Sequence, residues 1–574
     1  MALSSAKHRP QDRMRAPKQV MRLARMGAFH QTRLSFARVL LRRLKTEGWS
    51  VDRPRFDINA QGVGVATYAV SNGERTYTLV AFAHDLPDEM RSDRVIAEAW
   101  DSTFCLFDGV PEDSDIERLS NNVPLQEAGR VGESEFILSR ANRSVRLFAH
   151  TIDRLSQGMQ PDAEQIEDVG YLMRTTAVYG SGKFGAADRD VWRDRPEFAG
   201  SFQPEMLTVW LIRAFTVDLV EHLARQKGGE QAVSLNADLK RKLGVGNSTG
   251  LGMAPFLINH PALIHAWIAG REEALARVRD IAAGIPEHWA LFDRLVASAR
   301  KMAALWQSSH PVQATKIAEL GADLDRFSAW FETFDRQTPY PFDAIVCWAE
   351  DNLGLEAQEM ITSLLMEPHG DLIDDLAPSM SADESARFRI DAKRSVGDVR
   401  SQIESRYGWA SDLDFDDPKQ CARIWYVSQE KLEPRLGERA KENLTAYEQP
   451  LAPARDALLM LTDLRAYDPG VSLAHFLMAY PQHRHVARRL QVVEHCPYGE
   501  IQDNTVSADM LPIDLLRCKL SLFGATRFDP RSDRWVRIAL FANAPYPDEL
   551  ADLDPDLCAW GLSDSGLEML QPVL

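Results

Sequence analysis

The sequence predicts a mainly α-helical, multidomain α+β protein. A long helical middle lies between small hairpin-containing α+β modules at both ends, and the two modules look duplicated. Three observations carry that expectation. Apolar residues recur at helical spacing through most of 133–498. Asn72-Gly73 stands between two β-rich runs, a strong hairpin signal because both residues tolerate positive φ. The third observation is an echo between the two ends of the chain.

Near the start, Arg55-Phe-Asp57 is followed by Leu79-Val-Ala-Phe-Ala-His-Asp-Leu-Pro87 and then Ala99-Trp100. Near the end, Arg527-Phe-Asp529 is followed by Ile538-Ala-Leu-Phe-Ala-Asn-Ala-Pro-Tyr-Pro547 and then Ala559-Trp560. Thirteen positions separate the last Pro from the Trp in each copy. An amphipathic segment, Val39–Leu44 or Ile513–Leu520, precedes each one. Several pieces in one order point to an internal repeat.

Taken in order, residues 1–29 form a basic arm interrupted by Pro10 and Pro17. An amphipathic helix follows over His30–Lys45, where Leu34, Ala37, Leu40, Leu41 and Leu44 share a face. Val63–Val70 and Thr76–Ala83 read as the hairpin strands of a module spanning 30–130, and Val95–Phe107 fits strand or helix. Helices are expected over Glu135–Leu155, Ala163–Val178, Pro204–Gln226, Pro261–Ala283, His288–Gln307 and Ala314–Phe334, within a helical region 131–340. A second helical region, 341–505, holds Ala344–Leu353, Ala386–Arg406, Lys419–Leu432 and Ala452–Leu464. Residues 506–574 are the closing α+β module.

Composition narrows the function classes. The 574 residues are 45% hydrophobic and 26% charged, a globular composition long enough for two or more cores. Net charge is −17, yet residues 1–46 carry twelve Lys or Arg against the single acid Asp12. The body is therefore strongly acidic and repels nucleic acid over most of its surface, leaving the arm as the only place for such contact. The arm lies against the acidic body or a neighbouring subunit, or serves as a nucleic-acid, membrane-surface or transit segment. The longest apolar run, Met206–Val220, is broken by Arg213 and Asp218, so no transmembrane helix is expected. Six scattered cysteines without Cys-x-x-Cys point to reduced thiols and a cytoplasmic address.

The candidate chemistry centres on glycine. Gly244, Gly246, Gly250 and Gly252 surround Asn247, Ser248 and Thr249, a composition whose backbone N–H groups can converge on an anion. It matches neither the P-loop nor the dinucleotide fingerprint. A packing turn between helices is the competing explanation. The companion stretch Arg174 to Gly185 places Lys183 between glycines, with Arg174 and Tyr179 nearby, suited to a phosphate or carboxylate. Aromatic and charged residues around Trp425–Arg439, including Glu430 and Arg435, fit either an acid/base pocket or a salt-bridged helix. His483-Arg-His485, His495-Cys496, Asp374-Asp375 and the acids of 412–417 are weaker candidates for metal or nucleophile.

The expectation is a soluble enzyme, lyase or transferase, acting on a small anionic metabolite. Lys183, Tyr179, His260 and Glu430 are the candidate catalytic residues. Arg174, Gly246, Asn247, Ser248, Thr249, Gly250 and Arg435 are the candidates for binding it. Metal ligands are not assigned, the cofactor is unknown, and a homo-oligomer is the expected assembly. The alternative is a scaffold or regulator that engages a partner, nucleic acid or membrane surface through its basic arm.

Overall fold

The computed structural model describes residues 13–22, 25, 31–87, 99–122, 133–177, 195–247, 260–305, 311–381, 390–415, 425–428, 434–435, 445–448, 452–500, 519–528 and 538–552. Six strands lead: β1 (Ser50–Ile58), β2 (Gly64–Ser71), β3 (Thr76–Ala83), β4 (Ser102–Asp108), β5 (Glu135–Arg143) and β6 (Tyr171–Ala177). Each pairs antiparallel with the one before it. β7 (Gly244–Asn247) then joins β6 in parallel. A separate three-stranded ribbon comprises β8 (Trp425–Ser428), β9 (Pro434–Arg435) and β10 (Thr445–Glu448). β11 (Ala525–Phe528) and β12 (Ile538–Leu540) return to the first sheet, whose order is β1-β2-β3-β4-β5-β6-β7-β12-β11.

The helices begin with α1 (Pro17–Val20), α2 (Phe36–Thr46), α3 (Asp113–Asn122), α4 (Phe148–Ser156), α5 (Ala163–Val169), α6 (Gln203–Gly228) and α7 (Ala237–Lys242). Next come α8 (Pro261–Arg279), α9 (Pro286–Leu305), α10 (Pro311–Phe331), α11 (Pro341–Asn352), α12 (Leu355–Met366) and α13 (Gly370–Ile373). The last four are α14 (Val396–Tyr407), α15 (Ala452–Leu464), α16 (Leu473–Ala479) and α17 (Arg484–His495).

The sheet curls about α6, which is why that helix is apolar on nearly every side. Phe215 meets Tyr68 and Phe104 edge-on, and Asp218 accepts hydrogen bonds from Tyr68 and Arg53 (2.7 Å each). Phe36, Phe202, Trp267 and Phe523 close the amino end of α6, each ring within 4.9–5.7 Å of the other three. That cluster joins α2, α6, α8 and the turn before β11 through apolar burial and edge-to-face contact. Helices α14–α17 form a smaller bundle with its own core, including Ile403, Tyr407, Met460, Phe476 and Leu490. Glu500 ties the chain beyond α17 to that bundle by accepting from Tyr407 (2.8 Å) and Arg489.

The hairpin expected at Asn72-Gly73 is present between β2 and β3. Gly73 takes φ +89°, and the Asn72 carboxamide oxygen accepts from the N–H groups of Glu74 and Arg75 (3.0 and 2.9 Å). Three of the expected helices fail in part. The middle is not uniformly helical, because Glu135–Arg143 and Tyr171–Ala177 are strands. β5 is buried on both faces, so its apolar run carries no alternation and merges with the real helical period of α4. The helix expected over Ala163–Val178 stops at Gly170, which takes φ +75°. Trp425–Ser428, expected as helix, pairs with β10.

The duplication is also corrected. Arg55–Asp57 lies in β1 and Leu79–Ala83 in β3, with β2 between them, whereas β11 pairs directly with β12. β1 and β3 therefore run in one direction and β11 and β12 in opposite ones, so no rotation superposes the copies. Phe82 is extended in β3, while its counterpart Phe541 has left the strand at φ +61°. The echo is one of composition only: both segments serve a single sheet.

The described part of the basic arm packs against the body. Arg13 pairs with Asp280 (3.1 Å) and Asp343 (2.7 Å). Arg15 is buried, donating to Glu272 of α8 and Glu359 of α12 at 2.8 Å. Arg25 donates to Gln358 (2.6 Å), and Tyr498 donates to the Arg15 carbonyl (2.6 Å). Arg13, Arg15 and Arg25 thus direct their charge into the body.

Candidate functional site

Alternation across the central strands separates two faces. Leu79, Ala81, Phe104 and Leu106 belong to the main core. Val80, Phe82, Cys105, Phe107 and Leu138 form a second cluster with Ile116 and Leu119 of α3. This outer face turns polar toward β6. Register places Thr103 opposite Arg140, Asn142 opposite Arg174, and Arg174 opposite Gly246. Since 138, 140 and 142 alternate along β5, Arg140, Asn142 and Arg174 share that outer face.

Local contacts fix this strip. His84 Nε2 and Thr103 Oγ1 are 2.7 Å apart, and burial lowers the His84 pKa, favouring the neutral imidazole. The Arg140 guanidinium carbon lies 4.0 Å from the centre of the Trp100 ring, a cation–π contact. Asn142 Oδ1 accepts from the Asp101 N–H (3.0 Å), while Asp101 accepts from the Arg143 N–H (2.9 Å). Arg140 and Arg174 share this face with the buried Asp101 carboxylate, which partly opposes the lowering of the His84 pKa by burial.

β6 and β7 are the parallel pair of this sheet, and both carboxyl ends point the same way. Both glycine-rich stretches continue from those ends, after Ala177 and after Asn247. The chain resumes at Arg195, which grips Asp108 with two hydrogen bonds (2.9 and 2.6 Å) and Tyr77 with a third (3.0 Å). Glu197 accepts from Tyr77 and from Arg75, closing this corner of the sheet. After the second stretch the chain resumes at His260, half-buried at the amino end of α8, where burial lowers its pKa.

The first two glycines of the cluster have a packing explanation. A Cβ on Gly246 would sit 2.7 Å from the Tyr171 ring, and one on Gly244 would collide with the Leu540 carbonyl oxygen. They are strand residues that admit close neighbours, not part of a turn between helices. Gly246→Ala is expected to cost about 1–3 kcal/mol, read by urea denaturation, with part of the loss recovered when Tyr171→Ala is added.

No protein-family model, curated protein or solved structure matches this chain. The assignment therefore rests on geometry. The structure brings Arg174 and Gly246 together and pairs Asn247 with Thr175. Tyr179, Lys183, Ser248, Thr249, Gly250 and Glu430 lie outside the described residues. Arg435 belongs to β9 of the separate ribbon, not to this sheet. Arg140 and Asn142 escaped the sequence reading because β5 was taken for helix, while His84, Trp100 and Thr103 meet them only through the strand register. No alternation marked Arg140 and Asn142 in the sequence, because Ser139 and Arg143 are polar as well.

The other candidates have structural partners. His483 faces Asp463 (2.7 Å) and His485 faces Asp456 (3.4 Å). Asp374 holds Arg33 and Arg42, and Asp375 holds Arg277. Burial pushes the Cys496 thiol up, opposite to what a thiolate nucleophile needs. Among the described residues, no three His, Cys, Asp or Glu side chains gather as a metal site.

Proposed function

We propose that the protein binds a small anion, a carboxylate or phosphate, outside the carboxyl ends of β6 and β7, and acts on it as a lyase or transferase. One observation carries this reading: two glycine-rich stretches continue from the adjacent parallel strands β6 and β7, with Arg174 on β6 and Arg140 on the neighbouring antiparallel strand β5 sharing the outer face. Crevices at the carboxyl ends of parallel strands are where open sheets receive ligands. Arginine forks match the planar geometry of carboxylate and phosphate oxygens. Lys183, Tyr179 and His260 are the groups assigned to proton transfer in this reading. Each follows β6 or β7 in the sequence.

We retain as proposals the cytoplasmic address expected from cysteine usage and a homo-oligomeric assembly. Among the described residues, no helix is long and apolar enough to cross a membrane. A nucleic-acid role for the arm is the weaker reading, because Arg13, Arg15 and Arg25 already face acids of the body.

The test is calorimetric titration with phosphate and with small mono-, di- and tricarboxylates. At least one of these anions is expected to bind the wild type, with affinity falling about tenfold to a hundredfold in Arg174→Met, the loss of one charge-assisted pair. Unchanged affinity in a folded Arg174→Met protein overturns the assignment.

A further inference from the structure

A second cationic cluster, sharing no residue with the β6–β7 pair, lies where α2 and the residues just before it meet the segment from Glu367 to Asp374. Arg38 is fully buried and donates from both terminal nitrogens to the two oxygens of Glu367 (2.6 Å each). Arg33 grips Asp374 with Nε and Nη2 (2.8 Å each) and reaches the Glu367 carbonyl with Nη1 (3.0 Å). Arg42, one helical turn beyond Arg38, finds these acids already engaged. Its Nη2 takes the Arg33 carbonyl (2.8 Å) and a long share of Asp374 (3.3 Å).

Among the described residues, three guanidinium groups thus face two carboxylates in a buried setting. The mismatch is visible at individual atoms. Arg42 Nη1 and Arg38 Nε are both buried and have no hydrogen-bond acceptor. His369, also buried and next to this cluster, has an Nε2 without a partner. Burial, His288 and Arg33 push its pKa down to about 3, so it adds no charge and supplies no anion. Burial likewise pulls Arg42 down to about 10, against the help of Asp374. A guanidinium still keeps its proton at neutral pH, so relief has to come from an acceptor. Asp374 is about one-third exposed, which opens this corner to solvent.

We propose that this arginine ladder is a binding site for a small oxyanion, such as phosphate, which Arg42 and Arg38 hold beside Asp374 and Glu367. The anion completes the charge balance of the junction between α2 and the chain after α12. Oxyanions suit it because planar guanidinium donors pair with them in forked geometry. The site is independent of the one proposed at β6–β7, with which it shares no residue.

Equilibrium dialysis of the full-length protein against radiolabelled inorganic phosphate separates the two. Wild type is expected to bind phosphate here, and Arg42→Met to lose one equivalent per chain. Arg174→Met is expected to retain that equivalent. The Arg42→Met protein should also stay folded in phosphate-free buffer and lose the rise in Tm that phosphate gives the wild type. Arg42→Lys keeps the charge without the fork and should weaken phosphate binding about tenfold; it serves as the readout if the Met variant does not fold. Phosphate binding that is absent from the wild type, or unchanged in both Arg42 variants, overturns the proposal whatever Arg174→Met does.

Discussion

Arg213→Ala is expected to lower the unfolding free energy by about 3–5 kcal/mol and to release the C-terminal strands first. Arg213 sits inside α6 with almost no exposed surface. It donates to the carbonyls of Leu243 (2.6 Å), Ala544 (2.6 Å) and Arg241 (3.0 Å), and its guanidinium lies 3.8 Å over the Tyr546 ring. Trp210, one turn away, donates to the Pro545 carbonyl (2.9 Å). One side chain therefore joins α6, the entry to β7 and the exit from β12. Removing it leaves three carbonyls without their donor, two on one segment and one on the other. Urea denaturation measures the loss. Limited proteolysis should show early cleavage near residues 541–552 in the variant and not in the wild type.

Arg15→Ala is the second large effect, expected at about 3–5 kcal/mol because it strands two buried carboxylates. Among the described residues, Glu272 and Glu359 would keep Arg271 (3.0 and 3.1 Å) and the longer contact from Arg25. Burial alone would raise the Glu272 pKa, but Arg15 and Arg271 override it and hold the group at about 2, below its ordinary 4.5. A depressed carboxyl stabilises the fold above its unfolded pKa and loses that contribution as pH falls toward the folded value. For the wild type the loss runs from about pH 4.5 down to 2. In Arg15→Ala the acid transition should begin at higher pH, which a pH series of thermal melts would show. An identical acid limb in both proteins would contradict the pairing.

These residues show what the sequence could and could not convey. The Asn72-Gly73 hairpin was legible because its cause is local: two residues that accept a tight turn, flanked by β-branched and aromatic runs. The twelve cations of the first 46 residues were legible as an imbalance. Their destinations were not, since Glu272 and Glu359 lie 257 and 344 positions from Arg15. Gly244 and Gly246 stood out as a cluster, but the reason each lacks a side chain is set by Leu540 and Tyr171, brought near only by the fold. β5 and β6 were misread because a strand buried on both faces has no period of two. The same error hid Arg140 and Asn142, so Arg174 was the only cation of the outer strip visible beforehand. Similarity of wording between Leu79–Ala83 and Ile538–Ala542 suggested a repeat that strand direction forbids.

The central claim is that an anion binds where β6 and β7 end. A crystal soaked in selenate, with anomalous differences measured at the selenium edge, locates bound oxyanions without assuming their identity. The account predicts a peak within hydrogen-bonding distance of the Arg174 guanidinium that disappears in Arg174→Met. Strong peaks elsewhere with none beside Arg174, or a peak there that survives the substitution, would contradict it.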